Sequence, residues 1–357
     1  MKFICCYLFF CSIGLFQLHA NQRIEDEVSS SHLLVEVDEK GLSKQLIEFE
    51  SMGGIVFLNR ETKRLEQEKI YGGAVLNAFY GNHFFSEVLR RFFLPILVQN
   101  PFASKIYGSL QKSSFSRHKV EPFIEKYEID SLEFLDPVDS FRSFNDFFIR
   151  KLNQNARLIN QGEGVAILPA DARCLVYPNI EKADGFLVKG KKFSLETFLQ
   201  TKELVDKYAK GSMLIARLCP TDYHRFHFPF DCSPSPSTLI NGYLYSVNPI
   251  ALKKRIEIFS ENKREITSLK AKEFGEVLFV EVGATNVGAI HQTFTPFEQY
   301  AKGDEKGYFS FGGSSLVLLF EPGTIQFDQD LLDASSERIE VRCLMGQSLG
   351  RSLRAVK

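Results

Sequence analysis

The run Gly312-Gly313-Ser314-Ser315 sets a serine hydroxyl directly after two glycines and directly before the apolar stretch 316–320. As a bare pattern it reads as a small-residue turn ahead of a strand. The same arrangement also suits self-cleavage. Gly313 leaves its carbonyl carbon open to attack, and the Ser314 hydroxyl lies next to it. Attack by Oγ turns the amide into an ester. Elimination of that ester leaves dehydroalanine, which hydrolyses to a pyruvoyl group and ammonia. Serine is a weak nucleophile at its own pKa, so the step needs a base.

The segment DYHRFH at 222–227 supplies candidates for that base. His224 and His227 are two of only seven histidines, and Pro220 and Pro229 bracket them, as in a loop lining a site. An irregular or extended chain is expected here, and the spacing alone leaves open which ring faces Ser314. Asp171, in PADAR at 169–173, has the right chemistry to orient a histidine and stabilise its charged form, the third role in a triad. A lone Asp after Pro-Ala is also an ordinary turn residue.

Taken together, these stretches resemble the phosphatidylserine decarboxylase family. The resemblance runs from about 59 to 332 and is densest over 169–321. PADAR is similar to the family's PADG-type motif, and LVKGKKFSLETFL at 187–199 to the segment that follows it. ARLCPTDYHRFHFPFDC at 216–232 and NGYLYSVNPIAL at 241–252 come next, the latter with Glu261-Asn262-Lys263-Arg264. VGATNVGAI at 282–290 and KGDEKGYFSFGGSS at 302–315 complete the set in the family's order. The resemblance implies that Ser314 is the self-cleavage nucleophile and pyruvoyl precursor. His227 would be the base for cleavage, Asp171 its partner, and His224 an assistant in decarboxylation. Cleavage after Gly313 would leave a β chain ending there and an α chain starting at Ser314. One departure stands out: Ala172 replaces the Gly of PADG. If that glycine takes a positive φ, alanine strains the turn by about 1 kcal/mol or more.

The implied reaction converts phosphatidylserine to phosphatidylethanolamine and CO2. A pyruvoyl group is the electron sink there, doing the work of pyridoxal phosphate without a bound coenzyme; no pyridoxal phosphate and no metal are expected. An acid must then protonate Cα, and an unperturbed histidine titrating near pH 6.5 suits that task, which falls to His224. Three alternatives have distinct signatures. A decarboxylase for a soluble amino acid would have no use for apolar N-terminal helices. An uncleaved lipid-binding homologue would not need Ser314, His227 and Asp171 together. A serine hydrolase acting in trans would carry a G-x-S-x-G elbow, which Ser314 lacks.

The rest of the chain must position these residues. Lys2, the apolar run 3–16 and Ala20 fit a signal peptide, and the run is short for a membrane span of about 20 residues. Residues 1–20 are thus a signal peptide or a retained anchor, and 21–53 a polar tether. Residues 54–160 are expected to be a helical membrane-docking region. It opens with a short strand at 55–58 and a turn at 59–62, and the apolar stretch 84–106 carries Arg90 and Arg91 for lipid headgroups. A helix over 139–152 follows, with Ser140 or Ser143 as its cap. From 161 to 357, short β-type runs at 165–168, 174–177, 186–189, 213–218, 242–247, 276–282 and 316–320 alternate with turn residues. The expected fold is α+β: N-terminal helices followed by a compact β-rich catalytic domain. A net charge of −1 gives no nucleic-acid signature. The 34 Phe and no Trp point to a Phe-packed core. Seven cysteines without a CxxC pair give no zinc or redox motif, and Cys174, Cys219, Cys232 and Cys343 are expected as free thiols. The expected partners are phosphatidylserine, a membrane surface and the complementary chain of the same precursor. Homo-oligomerisation is open. The expected location is membrane-associated, peripheral or N-terminally anchored.

Overall fold

The computed structural model describes residues 55–69, 108–182, 194–248, 257–284, 289–312 and 314–354. Segments 1–20 and 21–53, the apolar stretch 84–106, the expected strand 186–189 and Gly313 lie outside the described residues.

The strands in chain order begin with β1 (Val56–Asn59), β2 (Arg64–Gln67), β3 (Val165–Ile167), β4 (Ala172–Tyr177) and β5 (Ser212–Leu218). They continue through β6 (Arg225–His227), β7 (Ser233–Pro234), β8 (Thr238–Ile240), β9 (Arg264–Ala271), β10 (Gly275–Gly283), β11 (Ile290–Gln292) and β12 (Glu305–Phe309). The last are β13 (Ser314–Phe320), β14 (Ile325–Phe327), β15 (Glu340–Cys343) and β16 (Ser348–Ser352). The α-helices that matter here are α1 (Val120–Tyr127), α2 (Phe144–Phe148), α3 (Leu195–Leu199), α4 (Lys202–Tyr208), α5 (Ile258–Glu261) and α6 (Gln329–Ser336), and residues 108–112 are helical as well. Ten strands form the main sheet in the order β2-β1-β15-β4-β5-β13-β10-β9-β7, with β8 also on β9. Two three-stranded sheets, β11-β12-β6 and β14-β16-β3, complete an α+β fold.

β13 explains the layering. All seven of its residues are buried, as expected of a central strand covered on both faces. Successive side chains point to opposite faces. Leu316, Leu318 and Phe320 pack with Phe226, Phe228 and Phe309 of the β11-β12-β6 sheet and its flank. Val317 and Leu319 pack on the other face with Phe198, Tyr208 and Phe259 from α3, α4 and α5. A third cluster is nearly all Phe: Phe123, Phe134, Phe141, Phe144, Phe147 and Phe148 around α1 and α2, joined by Phe311 from the run before β13. This is the Phe-packed core that the composition implies. Cys174, Cys219, Cys232 and Cys343 are buried free thiols.

Four local expectations change. The strand and turn at 55–62 form the β1–β2 hairpin, but β1 pairs in parallel with β15, Phe57 opposite Glu340. The hairpin is therefore an edge of the main sheet, and a boundary at 161 cuts through that sheet. The helix expected over 139–152 shrinks to α2, because the Ser143 hydroxyl accepts from Asp146 N at 3.1 Å and fixes the helix start there. The run 242–247 makes one bridge, Tyr243 with Asn262, rather than a strand. Ala172 opens β4 and is not among the residues with positive φ, so it brings no strain beside Asp171.

Candidate active site

Ser314 begins β13, opposite Gly283 of β10 on one side and Leu218 of β5 on the other. Its side chain is in phase with Leu316, so it faces the β11-β12-β6 sheet. It is fully buried, and Oγ has no hydrogen-bond partner among the described residues. A buried hydroxyl left unpaired costs free energy, and such atoms often mark chemistry. Gly312 has φ +143°, a conformation L side chains rarely adopt. The upstream limb of the turn is pinned: Phe311 N donates to Asn145 Oδ1 at 3.0 Å, and Ser310 N to the Ala289 carbonyl at 3.1 Å.

His224 lies in the segment joining β5 to β6. Its Nδ1 is 2.9 Å from the Asp222 carbonyl, which can only accept, so Nδ1 carries the proton and Nε2 is bare. Nε2 is buried and unpartnered. The ring lies against Phe148 at 3.8 Å between centroids, and Phe148 in turn meets Phe311 at 5.0 Å. His224 is thereby joined to the run that precedes Ser314. Burial pulls its pKa down to about 3, with the nearby Arg150 charge acting in the same direction. The expectation of a histidine titrating near 6.5 is corrected: His224 is neutral because water is excluded from it.

His227, in β6, alternates with Phe226 and Phe228, and its ring lies among other partners. Nδ1 donates to the Gly303 carbonyl at 2.8 Å, and the Tyr223 hydroxyl donates to Nε2 at 3.2 Å. Burial lowers its pKa as well. Where an irregular loop was among the expectations, Arg225–His227 pair with β12 as a strand.

Asp171 sits directly before β4. Arg157 holds it, with Nε 2.9 Å from Oδ1 and 3.1 Å from Oδ2, and the Met345 N–H donates to Oδ1 at 2.9 Å. Arg157 also grips Glu133 at 2.7 Å. Asp171 and His227 are neighbours through the backbone, His227 N donating to the Pro169 carbonyl at 2.8 Å, but no direct hydrogen bond joins carboxylate and ring. The expected Asp171–His227 partnership is therefore at most one of electric field in this state.

Sequence reasoning missed the supporting groups. Arg150 is buried between the rings of Phe134 and Phe147, 5.1 and 4.7 Å from their centroids, and reaches the Thr221 and Asp222 carbonyls at 3.2 and 3.4 Å. Asp222 is fixed by Arg173 at 2.6 Å. Arg217 joins Glu68 at 2.6 Å and Glu340 at 2.5 Å, tying the β1–β2 hairpin to β5 and β15. The only sequence signal for these groups was the adjacency of Arg150 to a Phe-rich helix and of Arg173 to Asp171. Among the described residues, no group of three or more His, Cys, Asp or Glu could hold a metal ion, and no helix is long and apolar enough to cross a membrane.

Comparison with known proteins agrees with this architecture. The phosphatidylserine decarboxylase family model matches residues 144–351. The phosphatidylserine decarboxylase proenzyme of Chlamydia caviae is 53% identical over 259 residues, covering 72% of this chain and 87% of the relative. Its counterpart in Chlamydia pneumoniae is 49% identical over 298 residues, covering 84% and 97%. That of Chlamydia trachomatis serovar D is 48% identical over 297 residues, covering 83% and 97%. With the matched stretch spanning α2 to β16, and Asp171, His224, His227 and Ser314 all inside it, the chain belongs to the phosphatidylserine decarboxylase family.

Proposed function

We propose that this chain is a self-processing proenzyme that converts phosphatidylserine to phosphatidylethanolamine and CO2 with a pyruvoyl group made from Ser314. The observation that carries the proposal is the buried, unpartnered Ser314 hydroxyl at the head of a strand held on both sides. These residues suit the group: it would form in place, shielded from water, at the start of a chain that stays bound. The α chain would contribute β13, β14, α6, β15 and β16. Each fully buried large apolar side chain of β13 contributes about 1.5–3 kcal/mol to keeping it there.

In processing, His227 Nε2 takes the Oγ proton of Ser314, and the Gly303 carbonyl holds its tautomer so that this nitrogen is the acceptor. Oγ bonds to the Gly313 carbonyl carbon, the C–N bond breaks, and the departing Ser314 nitrogen takes the proton back from His227 to become an amine. Loss of the Ser314 α-proton then breaks the Cβ–Oγ bond, releasing a Gly313 carboxylate. Water replaces the nitrogen at Cα, and ammonia leaves. Asp171, clamped by Arg157, places negative charge near His227 as it becomes cationic. A second reading has His224 as the base, because its Nε2 is bare where that of His227 is shared with Tyr223.

When present, the pyruvoyl group supplies an electron sink for the carbanion left at Cα by CO2 loss. His224 is neutral at rest, and its bare Nε2 would relay the proton that Cα takes up, charged only transiently because burial disfavours its cation. Phe148, packed on the ring, helps to exclude water from it.

A diacyl substrate brings the site to a bilayer, so we place the protein at a membrane surface, peripheral or N-terminally anchored. Phe115 and Leu132 are 81% and 84% exposed, and Arg117 and Lys119 lie beside Phe115. The function is tested by incubating processed protein with phosphatidylserine vesicles and with free serine. Phosphatidylethanolamine from the vesicles and no product from serine are expected. Product from serine alone would move the assignment to a soluble amino acid.

A further inference from the structure

The run that leads into Ser314 is held from the side of α2, by residues of which only Phe148 enters the proposed chemistry. Phe311 N donates to the Asn145 side chain at 3.0 Å, a buried contact. The Phe311 ring packs edge-on against Phe144 at 5.2 Å and Phe148 at 5.0 Å, on either side of Asn145 along the helix. The Phe144 N–H in turn donates to the Ser116 hydroxyl at 2.9 Å, and Ser143 caps the helix. One residue before Phe311, Ser310 is tied to the other side: its N–H donates to the Ala289 carbonyl, and its hydroxyl meets His291 Nε2 at 3.0 Å. Downstream, Ser314 is locked between β5 and β10. Two fixed limbs thus flank Gly312, whose φ of +143° allows the sharp change of direction between them.

We propose that Asn145, with Phe144 and Phe148, clamps the Phe311 limb of the processing turn and so acts as a positioning residue for self-cleavage. The proposal rests on the self-cleavage reading of Gly313–Ser314. The physical reason is geometric. An intramolecular attack gains its rate from holding the nucleophile near the carbonyl, and small displacements are costly. Ser314 cannot shift to follow a wandering carbonyl, because seven residues of β13 are in register with β5. The carbonyl side must therefore be held independently, and the Asn145 oxygen is its polar anchor nearest the turn, one residue beyond the ties at Ser310. Alanine at 145 removes the anchor while keeping good helix propensity, so α2 itself should persist. Aspartate keeps an acceptor oxygen at the same reach, and its charge suits the first turn of a helix.

The test follows cleavage over time by intact mass in full-length wild-type, Asn145→Ala and Asn145→Asp proteins. Melting temperatures are taken for each in a Ser314→Ala background. Wild type is expected to split. Asn145→Ala should split at least about tenfold more slowly, with a melting temperature near that of its parent, and Asn145→Asp within a few-fold of wild type. Asn145→Ala splitting at the wild-type rate would overturn the clamp. So would equal slowing in both variants together with a matching loss of melting temperature, which would make Asn145 merely structural. A wild-type chain that never splits would overturn the self-cleavage reading itself.

Discussion

The Asp171 carboxylate is held by the Arg157 guanidinium, Nε to Oδ1 at 2.9 Å, and not by the His227 ring. Both side chains are nearly buried, at 8% and 6% exposure. Removing one partner of such a pair leaves the other charge uncompensated and typically costs about 3–5 kcal/mol. Arg157→Met in a Ser314→Ala background should lose stability of that order in urea unfolding, and Arg157→Met alone should process slowly. Unchanged unfolding would mean that water already compensates Asp171.

On the proposed mechanism the two histidines have separable tasks. His227→Ala should leave the chain unsplit. His224→Ala should still split, yet lose nearly all conversion of phosphatidylserine. Gel analysis of cleavage beside a product assay distinguishes them. The reverse pattern would make the bare Nε2 of His224 the processing base.

Acid should destabilise the precursor through these same rings. Burial holds the His224 pKa at about 3 and lowers that of His227. The unfolded chain protonates both below about pH 6.5, while the folded chain does not. The folded state binds fewer protons, so its stability is complete above about pH 6.5 and falls as pH drops. Each histidine contributes on the order of 1.4 kcal/mol per pH unit until its folded pKa is reached. Urea melts of Ser314→Ala protein at pH 7, 6 and 5 should show this decline, and His224→Phe should reduce it. A flat profile would show that both rings are solvated.

Between the sheets, Lys306 and Glu281 are both fully buried and 2.5 Å apart, with Lys306 also bonded to Thr267 and Gln292. Lys306→Met alone should cost about 3–5 kcal/mol, because it strands the Glu281 charge. The double replacement Lys306→Met with Glu281→Leu should recover most of that loss. A double variant as unstable as the single would mean that the pair is needed to set the sheet packing.

The strands were legible where the pattern was local. The run at 316–320 announced a buried strand, and the Gly-Gly-Ser-Ser turn before it placed Ser314 at the head of that strand, as found. Of the two caps expected for the helix over 139–152, Ser143 is the one used, so α2 starts at Phe144; its end at Phe148 carried no comparable local signal. The hairpin was visible as a strand and a turn, but its parallel partner lies far along the chain at β15. The Arg157–Asp171 and Arg173–Asp222 pairs were illegible for the same reason: long-range charge pairing leaves no periodic trace. The low pKa of His224 comes from the surrounding Phe148 and Arg150, which are set by tertiary packing rather than by the DYHRFH motif.

Self-cleavage at Ser314 is tested most directly by an intact mass spectrum of the purified protein beside a Ser314→Ala control. Two chains divided after Gly313, the smaller carrying a ketone in place of its terminal amine, with the control uncut, are expected. A single uncut chain in both samples would contradict self-processing and leave an inactive lipid-binding member of the family.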